Sequence, residues 1–281
     1  MKKILALMLV ALMAIFTLVA CKEEAPVNDD VVVDDNGEVV ETLTCGVTIF
    51  ENMNEQNEDG TWTGFETEFA EAVAELIGMK AEFQIIDWSQ KYNELNSGAI
   101  DCVWNGFTAN SSDTVNGVPV KRSDLVDFSY GYMLNQQCIV TKAENVANFA
   151  TAEDLAGKTA CVEGGSAGAA YAESVTDADK IFSTTAQINA FTEVKSGAVD
   201  FAVVDIILAQ NICGQGDYAA LAIVEAIELD SEIYAIGFKK GSDLTAKVNA
   251  AIKTLEENGT LLALAEKYGF ENVLKVSETI E

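Results

Sequence analysis

Two short segments contain side chains that could take part in chemistry, and each lies at the end of an apolar run. The first, CVEGGSAG at 161–168, contains Glu163 and Ser166 and predicts a strand followed by a helix. Free N–H groups at the start of a helix bind anions. The segment also fits G-x-S-x-G, the turn that presents a serine nucleophile, but that chemistry needs a base. The chain has no histidine, so an anion site is favoured over a serine hydrolase.

The second segment, DFAVVDIIL at 200–208, contains Asp205 in the middle of apolar residues. A carboxylate in such a run is partly desolvated and requires a cation as partner. Asp205 could also be the N-cap of a following helix, a position that Asp fills well. Both alternatives place this side chain at the end of a strand.

Near copies of one pattern show how these segments are positioned. NSGAIDCVWNG at 96–106 and KSGAVDFAVVD at 195–205 each predict a helix, a glycine that ends it in a left-handed conformation, and a parallel strand. The chain therefore contains two α/β lobes of similar plan. Ligands of such sheets bind beyond the carboxyl ends of the strands. If the lobes face each other, Asn105-Gly106 and Val204-Asp205 form two sides of one cleft. Residues 109–124, ANSSDTVNGVPVKRSD, predict a long loop.

Composition limits the function classes. The 281 residues are 49% hydrophobic and 22% charged, which suits one large or two medium ordered domains. A net charge of −28 excludes nucleic-acid binding through phosphate neutralisation. Cys45, Cys102, Cys138, Cys161 and Cys213 are odd in number and irregularly spaced, which disfavours a disulfide framework, although a bridge between Cys45 and Cys102 on neighbouring strands stays open. No C-x-x-C occurs, so no zinc site is expected. No cofactor or metal is predicted.

The N-terminus predicts export and a lipid anchor. Lys2 and Lys3 precede an apolar run that ends in LVAC, which resembles the lipobox of bacterial lipoproteins. The resemblance implies a signal peptide over 1–20 and lipid on Cys21. An ordinary secretory signal with a chance cysteine is the alternative. The acidic residues 21–41 predict a flexible tether.

Six segments in order resemble the motifs of bacterial solute-binding proteins for polar amino acids, family 3, which are the receptors of ABC importers. The resemblance spans roughly residues 43–275. The segments are GTWTGFETEFAEAVAELIG, DWSQKYNELNSGAIDCVWNGFT, RSDLVDFS, DLAGKTACVEGGSAG, VKSGAVDFAVVD and VNAAIKTLEENGT.

This resemblance implies an α/β fold with two lobes, the type II periplasmic-binding-protein-like fold. Each lobe would be a mainly parallel sheet flanked by helices, and two hinge crossovers would join them near 133–140 and 232–238. Lobe 1 would comprise 42–135 and 235–281, and lobe 2 would comprise 136–234.

The resemblance also implies a site for the charged ends of an amino acid. Arg122, five positions before Asp127, corresponds to the arginine that binds the ligand carboxylate, although the loop before it is longer than usual in the family. A surface arginine is the alternative. Thr108 and the Gly106 backbone would add contacts, or would be plain turn residues. Ser166 in the second lobe would bind the same carboxylate, and Asp205 would bind the ammonium group.

Aromatic and acidic residues would surround the rest of the ligand. Trp88 corresponds to an aromatic residue that the family places against the ligand, and Phe50 would form the opposite wall. Either could instead belong to the core. Glu163 would face the ligand side chain and disfavour anionic side chains, which predicts a neutral or cationic polar amino acid.

The resulting prediction is a monomeric, lipid-anchored receptor on the extracytoplasmic face of the cell membrane. It would deliver its ligand to an ABC permease with its ATPase. One alternative is a cleft enzyme on the same scaffold, similar to dehydratases, with Glu163 as the obvious acid or base. The other is a ligand-sensing module, which the lack of a signalling domain after residue 281 disfavours.

Overall fold

The computed structural model describes residues 40–280; the predicted signal peptide, Cys21 and the tether up to residue 39 lie outside the described residues. Strands and helices alternate along this part of the chain. The strands are β1 (Thr42–Val47), β2 (Glu55–Gln56), β3 (Trp62–Thr63), β4 (Lys80–Ile85), β5 (Cys102–Val103), β6 (Ser112–Val115), β7 (Val118–Lys121), β8 (Asp127–Lys142), β9 (Ala160–Glu163), β10 (Ile181–Thr184), β11 (Phe201–Asp205), β12 (Leu221–Ile223), β13 (Ser231–Phe238) and β14 (Leu274–Ser277). The helices are α1 (Phe65–Leu76), α2 (Lys91–Ser97), α3 (Arg122–Leu125), α4 (Ala167–Val175), α5 (Gln187–Ser196), α6 (Ile206–Ile212), α7 (Leu244–Glu257) and α8 (Thr260–Tyr268).

The main sheet has the order β10-β9-β11-β8-β13-β5-β1-β4, with β12 and β14 also paired to β8. Two groups of parallel strands stand at its ends. One consists of β4, β1 and β5, and the other of β10, β9 and β11. Between them, β8 and β13 run antiparallel to their neighbours. The α/β class with two groups of parallel strands is therefore confirmed.

The long strand β8 connects the two groups. Its earlier residues pair with β13 and β14, and its later residues pair with β11 and β12. Together, β8 and β13 cover the positions predicted for the two crossovers. The lobe limits 42–135, 136–234 and 235–281 stay a prediction.

The repeated sequence pattern forms the same local structure twice. Helix α2 ends at Gly98 with φ of 80°, and α5 ends at Gly197 with φ of 82°. In each copy the next amide closes the helix: Ala99 N donates to Glu94 O at 3.1 Å, and Ala198 N donates to Glu193 O at 3.1 Å. A left-handed cap of this kind favours glycine. The predicted helix, glycine and strand are thus confirmed in both copies.

The prediction of a long loop over 109–124 is wrong. Residues 112–121 form a hairpin in which Ser112 pairs with Lys121 and Val115 pairs with Val118. Asn116 and Gly117 form its turn, with φ values of 52° and 78°. Asn-Gly between β-branched residues is a strong hairpin signal, because both turn positions need positive φ. The polar composition of the segment concealed this signal.

Aromatic packing fixes the group that contains β1 and β5. Phe69 of α1 contacts Trp104, which follows β5, with the rings perpendicular and their centroids 5.1 Å apart. Both side chains are fully buried, and burying a large apolar side chain contributes roughly 1.5–3 kcal/mol. The packing holds the end of β5 in place.

Most cysteines in the described part of the chain are buried in strands. Cys45, Cys102, Cys138 and Cys161 lie in strands and are buried, and Cys213 is half-buried. All five are free thiols. Cys45 and Cys102 are register partners on β1 and β5, with their sulfur atoms 3.6 Å apart. Between residues 40 and 280, no helix is both long and apolar enough to cross a bilayer.

Candidate functional site

A small cavity lies where the strand ends of the two groups meet. Its free volume is only about 10 Å³, so the lining side chains nearly fill it. Every predicted ligand-binding residue except Phe50 lines it. The lining residues are Trp88, Asn105, Gly106, Thr108, Arg122, Gln137, Glu163, Ser166, Ala167, Gln187 and Asp205.

The cavity is closed by contacts between the two groups of strands. Lys91 Nζ and Arg122 Nη2 both donate hydrogen bonds to the carbonyl oxygen of Gly165, at 2.8 and 3.2 Å. Lys91 begins α2, which packs on β5, and Arg122 begins α3 and bonds to Thr108 beyond the end of β5, whereas Gly165 lies in the turn between β9 and α4. The structure is therefore a closed form.

Arg122 reaches the cavity despite the longer segment before it. It begins α3 directly after the hairpin and is 1% exposed. Its Nη1 donates to Thr108 O at 3.0 Å, and its Nε and Nη2 lie 2.9 Å from Asp113 Oδ1. The arginine is thus buried and fully engaged, which excludes the alternative of a surface arginine.

Asp205 ends β11 and is also the N-cap residue of α6, but its side chain makes no capping bond. Instead the carboxylate accepts hydrogen bonds from the amides of Asn135, Gln137 and Gln187. Burial raises the pKa of Asp205, and these amide bonds oppose the rise. The side chain of Asp205 therefore faces the cavity and does not cap α6.

Ser166 is the N-cap of α4. Its Oγ accepts a hydrogen bond from Ala169 N at 3.0 Å, as a capping serine does. The amides of Ala167 and Gly168 belong to the first helical turn, where no earlier carbonyl can accept them. These amides and the helix dipole favour a negative charge at this end of the cavity.

Glu163 ends β9 and is 2% exposed. Burial, and then the charge of Asp205, raise its pKa to about 8. Its Oε1 has no hydrogen-bond partner among the described residues. The closed form therefore holds Glu163 as a neutral carboxylic acid at neutral pH.

The predictions for the two aromatic residues have different outcomes. Trp88 lines the cavity and also packs on Phe107, with ring centroids 5.4 Å apart, so it serves both wall and core. Phe50 is 2% exposed, belongs to the core, and is not among the lining side chains. A Cβ built on Gly106 would lie 3.3 Å from Phe50 Cε1, which places the ring behind the glycine. Phe50 is therefore not retained in the candidate site.

Gly106 and Thr108 are held by buried acids. Gly106 has φ of 55°, and its N donates to Glu66 Oε1 at 2.9 Å. The same oxygen accepts from the Tyr132 hydroxyl. Burial raises the pKa of Glu66 to about 7. Thr108 Oγ1 donates to Glu232 Oε2 at 3.1 Å.

Several site residues were not predicted. Gln137 and Gln187 line the cavity. Lys91 donates to the Trp88 carbonyl oxygen, and Asp113 and Glu232 accept from the lining residues Arg122 and Thr108. One signal in the sequence could have found them, the polar NQQ at 135–137 between the apolar pairs Met133-Leu134 and Cys138-Ile139. Such residues in a buried strand require partners.

An open groove adjoins the closed cavity and shares Thr108, Gln137 and Ala167 with it. Its other lining residues are Asn110, Ser111, Ser112, Ala170, Tyr171, Glu228, Leu229, Asp230, Ser231 and Glu232. Three carboxylates thus lie in the groove.

Within the part of the chain that the structure describes, no group of three or more His, Cys, Asp or Glu side chains is arranged so that it could hold a metal ion.

A parallel-strand fold with opposed charges at the meeting strand ends defines a two-lobed type II binding protein. Residues 43–272 match the bacterial extracellular solute-binding proteins, family 3, and the chain belongs to this family. Its members are extracytoplasmic amino-acid-binding proteins.

Individual relatives have stated ligands. The arginine-binding extracellular protein ArtP of Bacillus subtilis (strain 168) is 29% identical over 222 residues, 76% of this chain and 80% of ArtP. The L-cystine-binding protein TcyJ of Escherichia coli (strain K12) is 27% identical over 221 residues, 78% of this chain and 79% of TcyJ. The solved structure of an ancestral arginine-binding protein bound to arginine aligns with a TM-score of 0.70 and 31% identity, covering 81% of this chain and 97% of that one. All three are binding proteins.

Proposed function

We propose that this protein is the extracytoplasmic receptor of an ABC transporter and that it binds a polar amino acid, neutral or cationic, in the cavity at the strand ends. One observation carries the proposal. Arg122 and Asp205 both line the cavity, and Arg122 is bonded to Thr108, which follows β5, whereas Asp205 ends β11 in the other group of strands. An amino acid bears the complement of both groups.

The ligand carboxylate would lie between Arg122 and the first turn of α4. Arginine presents two parallel N–H groups to a carboxylate. On the opposite side, Ser166, Ala167 and the helix dipole favour an anion. The carboxylate would replace the Gly165 carbonyl oxygen, which accepts from Arg122 in the closed form.

The ligand ammonium group would lie against Asp205. The three amides around Asp205 are hydrogen-bond donors and supply no charge, so the carboxylate retains its attraction for a cation. A buried carboxylate gains most from a charged partner, because water cannot reach it.

Acids around the cavity support the preference for neutral or cationic side chains. Glu163 lines the cavity but is neutral, so it adds no charge, whereas Glu228, Asp230 and Glu232 line the adjoining groove. An anionic side chain would be repelled there. The stated ligand of the Bacillus relative, arginine, agrees with this preference.

Contacts to both groups of strands make ligand binding favour the closed form. Neither group alone offers both charges, so the ligand binds the closed state more tightly and shifts the equilibrium toward it. Charge-assisted hydrogen bonds contribute roughly 1.5–3 kcal/mol each. A few such bonds, less the ordering costs, correspond to micromolar affinity, about −8 kcal/mol.

Calorimetry with the purified protein tests the ligand class. L-arginine, L-lysine, L-histidine, L-glutamine and L-cystine would be titrated beside L-glutamate and L-aspartate. We expect micromolar binding of at least one neutral or cationic amino acid. Binding of only the two acidic amino acids would contradict the proposed class, and binding of none would contradict the amino-acid site.

The anchored location and delivery to a permease are separate parts of the proposal. Lipid on Cys21 would retain a monomeric receptor at the membrane, where the closed form would dock on the permease of the ABC transporter. Metabolic labelling with an alkyne fatty acid tests the anchor: wild type would be labelled and Cys21→Ser would not. Uptake of the identified ligand, measured in a deletion strain, tests delivery.

The alternative of a cleft enzyme makes a different prediction. Incubating the protein with its ligand and following both by mass spectrometry would reveal product only if the protein is an enzyme. We expect the ligand to be recovered unchanged. The buried, neutral Glu163 would be the first residue to substitute if product appeared.

A further inference from the structure

The β6–β7 hairpin carries one carboxylate back toward the cavity. Asp113 of β6 is 13% exposed and contacts three side chains at once. Its Oδ1 lies 2.9 Å from Arg122 Nε, and its Oδ2 accepts from the Tyr92 hydroxyl at 2.6 Å and lies 3.5 Å from Lys91 Nζ. A hairpin inserted before Arg122 thus supplies the partner of that arginine.

Asp113 engages only one edge of the guanidinium. Its Oδ1 is bound by the Nε and Nη2 edge, so the end formed by Nη1 and Nη2 is directed elsewhere. That end donates to Thr108 O at 3.0 Å and to Gly165 O at 3.2 Å. Asp113 therefore binds one edge of the guanidinium and leaves the end formed by Nη1 and Nη2 directed toward α4.

Lys91 is held in the same arrangement. It is 1% exposed, and its Nζ lies 4.7 Å from the ring centroid of Tyr92 and 5.4 Å from that of Trp88. Its bond to Gly165 O, at 2.8 Å, parallels that of Arg122. Two cations and one carboxylate leave one positive charge at this end of the cavity, which matches one ligand carboxylate.

We propose that Asp113 is a positioning residue, whose carboxylate on the inserted hairpin fixes Arg122 and Lys91 so that their donors face the ligand carboxylate. The proposal rests on the proposed amino-acid site and adds two residues to it. Without Asp113, two buried cations would repel each other, and the arginine would lose the partner that sets its orientation.

Whether Asp113→Ala weakens or strengthens ligand binding distinguishes a positioning role from a purely electrostatic role of this carboxylate. Removing a carboxylate raises the positive charge of the site, which by itself strengthens binding of an anion. Loss of orientation weakens it. We expect Asp113→Ala to weaken L-arginine binding by about tenfold. Unchanged or tighter binding would overturn the proposal.

A ligand without a carboxylate separates positioning from general damage to the fold. L-argininamide retains both cationic groups of arginine but carries a neutral amide. Orientation of Arg122 matters less to it, so we expect Asp113→Ala to change its affinity by less than about threefold. Equal weakening for both ligands would overturn the proposal. Asp124→Ala is the control, because Asp124 is an exposed acid only two residues from Arg122.

A second measurement needs no ligand. Arg122 is the only arginine in the chain, so arginine-selective ¹⁵N labelling gives one Nε–H signal. We expect this proton to exchange with solvent at least about tenfold faster in Asp113→Ala than in wild type and in Asp124→Ala. Equal exchange would overturn the proposal. Asp113→Asn, which keeps the shape, replaces Asp113→Ala in both measurements if the latter fails to fold.

The affinity measurement and the proton-exchange measurement test different parts of the argument. If wild type does not bind L-arginine, the proposed ligand class loses its main example, while exchange of the Nε–H proton still decides whether Asp113 fixes Arg122. If wild type binds and Asp113→Ala changes neither affinity nor exchange, the amino-acid site stands and the positioning role falls.

Discussion

Asp205 and Glu232 come from different strands and accept hydrogen bonds from the same nitrogen atom, Asn135 Nδ2, at 2.6 and 2.8 Å. Gln137 Nε2 also donates to both carboxylates. Burial, followed by the charge of Asp205, raises the pKa of Glu232 to about 7. Two acids bridged by neutral amides form an environment that a cation stabilises.

Asp205→Asn removes the charge of this pair nearest the proposed ammonium position. We expect it to weaken binding of the identified amino acid by about tenfold or more, because a charge-assisted bond becomes a neutral one. Calorimetry measures the affinity, and circular dichroism verifies the fold. Asp217→Asn, at an acid whose side chain is 93% exposed, should leave affinity unchanged. Equal affinities for all three proteins would remove Asp205 from the site.

Arg122→Lys keeps a positive charge and removes the planar fork. We expect weakening by about tenfold or more, since lysine cannot make two parallel bonds to one carboxylate. Arg122→Ala should be weaker still and less stable, because it leaves Asp113 with fewer partners. Lys121→Ala, at the exposed neighbouring cation, is the control for affinity. Wild-type affinity in Arg122→Lys would show that the fork is not used.

Glu163 makes stability depend on pH. Its folded pKa of about 8 exceeds the ordinary value of 4.5, so its contribution is fully present below about pH 4.5 and is lost as pH rises through about 8. Wild type should therefore lose thermal stability between pH 5 and 8 more steeply than Glu163→Gln. Thermal unfolding at several pH values measures the difference. Glu256→Gln, at an exposed glutamate, should follow wild type, and parallel curves for all three would refute a raised pKa.

Gly168 permits close approach of α4 to β11. A Cβ built there would lie 2.7 Å from the Val203 carbonyl oxygen, a backbone atom that cannot move away cheaply. We expect Gly168→Ala to destabilise by about 1–3 kcal/mol, which lowers Tm by roughly 2–4 °C per kcal/mol. At Gly164, in the turn that precedes α4, the nearest atom would be 3.6 Å away. Gly164→Ala should therefore have a much smaller effect, and equal Tm values would argue against the close approach.

The sequence allowed most of the strand-end geometry to be predicted. The glycine caps at 98 and 197 and the parallel strands after them follow from local patterns, and parallel strands bring their carboxyl ends to one edge. That is why Asp205, Glu163 and Ser166 could be assigned to one region. Phe50 could not be assigned, because an aromatic residue after a strand fits a pocket wall and a core equally well.

Only the tertiary structure decided the partners of these residues. Arg122 bonds to Gly165 across 43 positions, and Gln137 bonds to Glu232 across 95. Asp113 lies in a segment that the sequence predicted as loop, yet the hairpin brings it against Arg122. Local patterns determined which side chains lie at strand ends, because helix caps and strand periodicity depend on neighbouring residues. Packing between distant segments decided which of those side chains meet, since burial fixes their charges, pKa values and hydrogen bonds only once the sheet has assembled.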